Sequence, residues 1–224
     1  MIVAVVPIKS FTSAKSRLGD RLDADQRACL AQVTTDRVLR AFAECEAIDE
    51  RIAVVEDEAA GRVAALRKFD VMVRPDLWGQ SAVVEAGFEE GRRRGADTVL
   101  TVSADVPLTR PKDILQLLKP KGPVVVMVSD REGLGTNALR LSPPVQLRLH
   151  FGPDSLCQFK REAELMGVPV KVIDNPRLRL DVDTGDDIDA LDASGPEGRR
   201  VLIDAGRIRA DQVKDDIWMP GARF

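Results

Sequence analysis

The stretch SADVPLTRP, residues 103–111, sets a lone aspartate, Asp105, directly after the apolar run TVLTV. A carboxylate placed there either caps a following helix by accepting backbone N–H groups or ligates a hard cation through oxygen. The helical pattern resumes only near RPKDI, and Pro107 and Pro111 hold the intervening backbone extended, so capping by Asp105 is geometrically awkward. With no basic neighbour in sequence, Asp105 is a candidate Mg ligand. A second acidic group comes from LRLDVDTGDDIDAL, residues 178–191. Asp181 and Asp183 alternate, which on a strand puts both side chains on one face, while Thr184 and Asp187 have the spacing of a capping box at a helix start. Asp186, Asp187 and Asp189 read as dipole-favoured or solvated helix residues, whereas Asp183, at the strand's end, is less easily dismissed. Cations come from PIKSFTSAKSRLG, where Lys9, Lys15 and Arg17 lie among Ser10, Thr12, Ser13 and Ser16. Such a loop cradles a polyphosphate through charge-assisted hydrogen bonds. A solvated basic loop is the alternative, because the G-x-x-x-x-G-K pattern of a P-loop is absent.

These loops need a scaffold, and the apolar runs supply one. Short β-rich runs recur at 2–6, 51–55, 71–73, 98–102, 123–128 and 170–173, each reading as a strand buried on both faces. Between them lie helical patterns, such as the face marked by Val83, Val84, Gly87, Phe88 and Gly91. Alternation of strand and helix argues for an α/β fold, a mostly parallel sheet covered on both faces. Ligands of such sheets bind outside the carboxyl ends of the strands, where PIKSFTSAKSRLG, RPDLWGQS and SADVPLTRP leave toward the helices. GLGTNAL (133–139) and FGPDS (151–155) stand apart as glycine-rich, small-polar segments. After about residue 192 the composition turns loop-like, so the expected organisation is a domain over 1–192 and an appendage over 193–224.

Composition narrows the function classes. The 224 residues carry 44% hydrophobic side chains, enough for a large core, and a formal net charge of −3. That charge gives no electrostatic case for nucleic acid or a membrane surface as partner. Cys29, Cys45 and Cys157 form no C-x-x-C pair and read as reduced thiols. MIVAVVPIK has no basic leader, and no run reaches the roughly eighteen apolar residues of a membrane span, so a cytoplasmic protein is expected.

Taken together, VVPIKSFTSAKSRL, SADVPL, GTNAL, FGPDS and LDVDT resemble, in content and order, the guanylyltransferase family that makes the activated phospho-acid precursor of coenzyme F-420. The resemblance implies a GT-A-like, Rossmann-like nucleotidyltransferase in which GTP and a small phosphorylated carboxylic acid give a guanosine diphospho-acid and pyrophosphate. The acceptor would be 2-phospho-L-lactate, phosphoenolpyruvate or 3-phospho-D-glycerate. It implies Asp105 and Asp183 as Mg ligands, Asp105 and Lys15 as catalytic residues, and Lys9, Lys15 and Arg17 on the triphosphate. It also implies Thr136, Gly152 and Ser155, with Asn137, around the acceptor. Where the family has G-L-N-A-A, this chain has WGQSAVV; Gly79 carries over, with Gln80 and Ser81 standing in for the neighbouring nucleotide contacts. His150 is expected to be packed rather than catalytic, and Trp218 to make a surface or subunit contact, as in a homodimer. The alternatives are a nucleotidyltransferase acting on a sugar phosphate or molybdopterin, and a non-catalytic nucleotide-binding protein of the same fold.

Overall fold

The structure, a computed structural model, describes residues 1–142 and 147–206. Seven strands lie in one sheet among them: β1 (Ile2–Ile8), β2 (Glu50–Val55), β3 (Asp70–Val73), β4 (Thr98–Val102), β5 (Val125–Ser129), β6 (Thr136–Leu141) and β7 (Val170–Val172), in the order β3-β2-β1-β4-β6-β5-β7. The period of two along the apolar runs sorts side chains to opposite faces. Val3 and Val5 of β1 meet Val84 and Phe88 of α3 (Gln80–Arg93) on one face, joined there by Phe159 of α5 (Ser155–Leu165). Ala4 and Val6 meet Val38, Leu39 and Phe42 of α1 (Ala24–Ala43) on the other, beside α2 (Glu58–Leu66) and α4 (Pro111–Leu118). Helices therefore cover both faces, as expected of an α/β nucleotidyltransferase.

Strand direction decides where the loops converge. β1 runs parallel to β2 and β4, and β2 parallel to β3, so their carboxyl ends share one edge of the sheet. β6 is antiparallel to β4 and enters at that same edge, where the Ser103 N–H donates to the Asn137 carbonyl at 2.8 Å. α3 starts at this edge from Gly79, whose φ of +83° suits glycine. The helix lies unusually close to the sheet because Gly87 has no side chain; a Cβ there would stand 2.3 Å from Cγ1 of Val5.

Four sequence expectations are corrected. The runs at 71–73 and 170–173 form the two edge strands and are only partly covered, because each has a single strand neighbour. The apolar runs predict no strand over 136–141, yet Thr136, within GLGTNAL, opens β6. The segment 178–183 is irregular rather than a strand, and its Val182 N–H donates to the Asp105 carbonyl at 3.1 Å instead of joining a ladder. The loop-like composition after residue 192 conceals a helix, α7 (Pro196–Asp204), which follows α6 (Gly185–Ala193) and buries Val201 and Leu202 against Leu18, Leu30 and Leu191. Trp218, with the contact expected of it, lies outside the described residues. Among the described residues no helix is long and apolar enough to cross a membrane, and all three cysteines are free.

Candidate active site

At the carboxyl edge of β1, β2 and β4 the loops enclose a cavity of about 340 Å³, lined from the first loop by Lys9, Lys15 and Arg17 and from the far side by Asp105 and Asp183. The first loop is held by a 3₁₀ turn, Ser16–Leu18, which buries Leu18 completely in the α6/α7 core. Lys15, just before it, adopts a left-handed backbone with φ of 58°, a conformation unfavourable for a side chain with a Cβ. What compensates is at the end of its side chain: Nζ donates to Asp105 Oδ2 at 3.1 Å and to Asp183 Oδ1 at 3.0 Å, with only 6% of the side chain exposed. Burial opposes the charge on this ammonium, but the two carboxylates outweigh it and raise its pKa. Burial likewise pushes the Asp183 carboxyl up, yet Lys15, with Arg17 and Lys9 beyond it, holds it below its ordinary value.

Asp105 does not cap α4, whose N-cap is Arg110, with its N–H bound to Asp113 at 3.0 Å. Its Oδ1 is buried and has no hydrogen-bond partner among the described residues. A buried, unsatisfied carboxylate oxygen is costly, and a hard cation would satisfy it. Among the described residues no three His, Cys, Asp or Glu side chains cluster as a metal site. The donor set at hand is thus the carboxylate pair Asp105 and Asp183, which fits Mg, an ion that is commonly held by one or two carboxylates plus substrate phosphates.

The remaining expected residues divide into two groups. Gly79 and Gln80 line the cavity, and Gln80 donates to Ser103 Oγ at 3.3 Å. Ser81 does not line it; its hydroxyl accepts the Phe151 N–H at 2.8 Å, because one helical step turns it toward the segment before α5. Thr136, Asn137 and Ser155 are buried, and neither they nor Gly152 line the cavity. Ser155 Oγ donates to Thr136 Oγ1 at 3.0 Å, which ties the start of α5 to the start of β6. Asn137 donates to Asp181 at 3.0 Å, so it reaches the acidic cluster only through that carboxylate. Burial, and then the neighbouring Asp105 charge, push the Asp181 carboxyl up to about 6 against the hydrogen bond from Asn137. His150 packs beside Phe159 and contacts Glu162 at 3.3 Å, away from the cavity lining, as expected. Glu56 escaped the sequence reading: it lines the cavity from the carboxyl end of β2, and the signal that could have found it is its place directly after the apolar run RIAVV.

Comparison with known proteins points the same way. The family described as "Guanylyl transferase CofC like" matches residues 2–199. A phosphoenolpyruvate guanylyltransferase of Conexibacter woesei is 38% identical over 191 residues, covering 84% of this chain and 86% of the relative. One of Rubrobacter xylanophilus is 36% identical over 196 residues, covering 87% and 95%. Among solved structures, a provisionally named nucleotide-diphospho-sugar transferase of Desulfovibrio desulfuricans has the same fold, with a TM-score of 0.69 at 12% identity over 92% of this chain and 95% of that one.

Proposed function

This chain belongs to the CofC-like guanylyl transferase family, and we propose that it transfers the guanylyl group of GTP to the phosphate of a small phosphorylated carboxylic acid in coenzyme F-420 biosynthesis. The observation that carries this reading is the buried Lys15 ammonium between Asp105 and Asp183, in a cavity at the carboxyl edge of the sheet. An oxygen of the acceptor phosphate attacks the α-phosphorus, the bond from that phosphorus to the β-phosphate bridging oxygen breaks, and pyrophosphate leaves. Two anions must be brought together while charge grows on the leaving group, so positioning and electrostatic stabilisation do most of the catalysis. Lys9 and Arg17, both exposed at the cavity wall, bind the β- and γ-phosphates, and Lys15 neutralises the departing pyrophosphate. Asp105 and Asp183 would hold Mg, which supplies charge neutralisation of phosphate oxygens. No general base is needed, because a phosphate monoester is already ionised near neutral pH.

Thr136, Asn137, Gly152 and Ser155 shape the acceptor side through the β6–α5 junction. Relatives named phosphoenolpyruvate guanylyltransferases support testing phosphoenolpyruvate first among the three acids. The acids differ by planarity at one carbon and by a hydroxyl, differences typically worth about 1 to 3 kcal/mol without a dedicated polar partner. Mass spectrometry of products from GTP and each acid is expected to show a guanosine diphospho-acid with more than one of them. Ser155→Ala, run in parallel, is expected to weaken the acceptor's apparent affinity and leave that of GTP unchanged. Product from a sugar phosphate and from none of the acids would overturn the assignment.

A further inference from the structure

Glu56 is the cavity carboxylate that the mechanism above does not use. It stands at the carboxyl end of β2, with its N–H on the Ile8 carbonyl at 3.1 Å, and its Oε2 accepts the Ser10 N–H at 2.7 Å. That anchor fixes the side chain against the first loop and leaves acceptor capacity on both oxygens, since a carboxylate offers about four lone-pair sites. The other acids of the lining, Asp105 and Asp183, are bound to Lys15, whereas Glu56 makes no ion pair among the described residues. Glu56 lies beyond β1 from Asp105, because the sheet order places β1 between β2 and β4. Two strand spacings are about 10 Å, a span that a nucleoside 5′-phosphate covers when its α-phosphate is at Asp105. Pro7 and Val83 provide apolar walls in the same cavity, suited to the faces of a flat base.

We propose that Glu56 reads the base of the nucleotide, accepting the N1–H and the 2-amino group of guanine on its carboxylate. The pairing follows from donor and acceptor chemistry. Guanine offers two adjacent N–H donors on one edge, which match a carboxylate in a bidentate, charge-assisted contact. Adenine offers a lone pair at N1 and no amine at C2, so it faces the same carboxylate with an acceptor and loses the contact. Inosine keeps the N1–H and lacks the 2-amino group. Glu56 is thus a specificity-determining residue, and this rests on the GTP-dependent reading above.

The test is equilibrium binding of GTP, ITP and ATP, each with Mg and without acceptor, to the wild-type protein and to Glu56→Gln. The glutamine oxygen can keep the Ser10 N–H, so the first loop stays anchored. The wild type is expected to bind GTP about 10-fold or more tighter than ITP, and ATP weakest, as loss of one charge-assisted hydrogen bond implies. Glu56→Gln is expected to weaken GTP by about 10- to 100-fold and leave ATP unchanged or tighter, collapsing the preference. Equal loss for all three nucleotides would place Glu56 on the ribose or make it a loop anchor only, and overturn the proposal. An unchanged ratio of GTP to ATP affinity in the variant overturns it as well, while leaving the guanylyltransferase reading intact. Equal binding of GTP and ITP by the wild type overturns it without any variant. Failure of the wild type to bind any of the three would sink both readings.

Discussion

Asp105→Asn is expected to leave the protein folded and to lower turnover by about a hundredfold or more. The carboxylate faces the cavity with Oδ2 on Lys15 and Oδ1 buried with no partner among the described residues, and Asp183 still balances the buried Lys15 ammonium when the charge at 105 is removed. Asparagine keeps the size and removes the charge that would hold Mg against the reacting phosphates. Asp183→Asn is expected to act in the same direction, since its Oδ1 shares the same ammonium. The check is steady-state kinetics over a series of Mg concentrations, with circular dichroism to confirm folding. Near-normal turnover in both variants at limiting Mg would remove these residues from the metal site.

Lys15→Met should have the next largest effect, lowering kcat and raising KM for GTP together, by about a hundredfold in kcat/KM. Its ammonium is proposed to touch phosphate in both the ground and the transition state, so binding and chemistry fall together. The substitution also leaves Asp105 and Asp183 facing one another without their shared cation. Thermal stability should therefore drop, and added Mg should raise the melting temperature more in the variant than in the wild type, because the metal then replaces the missing positive charge. An effect confined to the acceptor's KM would move Lys15 to the other half of the site.

The central part of the fold was legible because β1, β2 and β4 have neighbours on both sides and helices on both faces, a situation that writes itself as an uninterrupted apolar run. β6 was not, because Thr136, Asn137 and Arg140 interrupt the apolar run. The fold buries them by giving each a private partner: Ser155 for Thr136, Asp181 for Asn137, and the Leu117 and Pro120 carbonyls for Arg140. The alternation in LRLDVD imitates a strand, but Val182 gives its N–H to the Asp105 carbonyl and the segment becomes the strut that holds Asp183 against Lys15. α7 was hidden by Gly195 and Pro196, which read as a loop and are in fact a helix N-cap and first turn. In the site, Lys15 and Asp105 could be found from residue type and position after a strand, and Asp183 from a strand-like alternation that the fold does not turn into a strand. Glu56 also follows a strand directly, but as the first of three successive acids, EDE, it stands out only when β1 sets it across the cavity from Asp105.

Guanylyl transfer to an acceptor phosphate is tested most directly by tracing oxygen. Phosphoenolpyruvate carrying a heavy oxygen isotope in its phosphate is incubated with unlabelled GTP, Mg and the protein, and the products are separated and weighed by mass spectrometry. Attack by the acceptor phosphate on the α-phosphorus predicts that all of the label stays in a guanosine diphospho-acid, one labelled oxygen now forming the bridge, and that the pyrophosphate is unlabelled. Label released as inorganic phosphate, or GTP converted to GMP or GDP with no labelled conjugate, would contradict it.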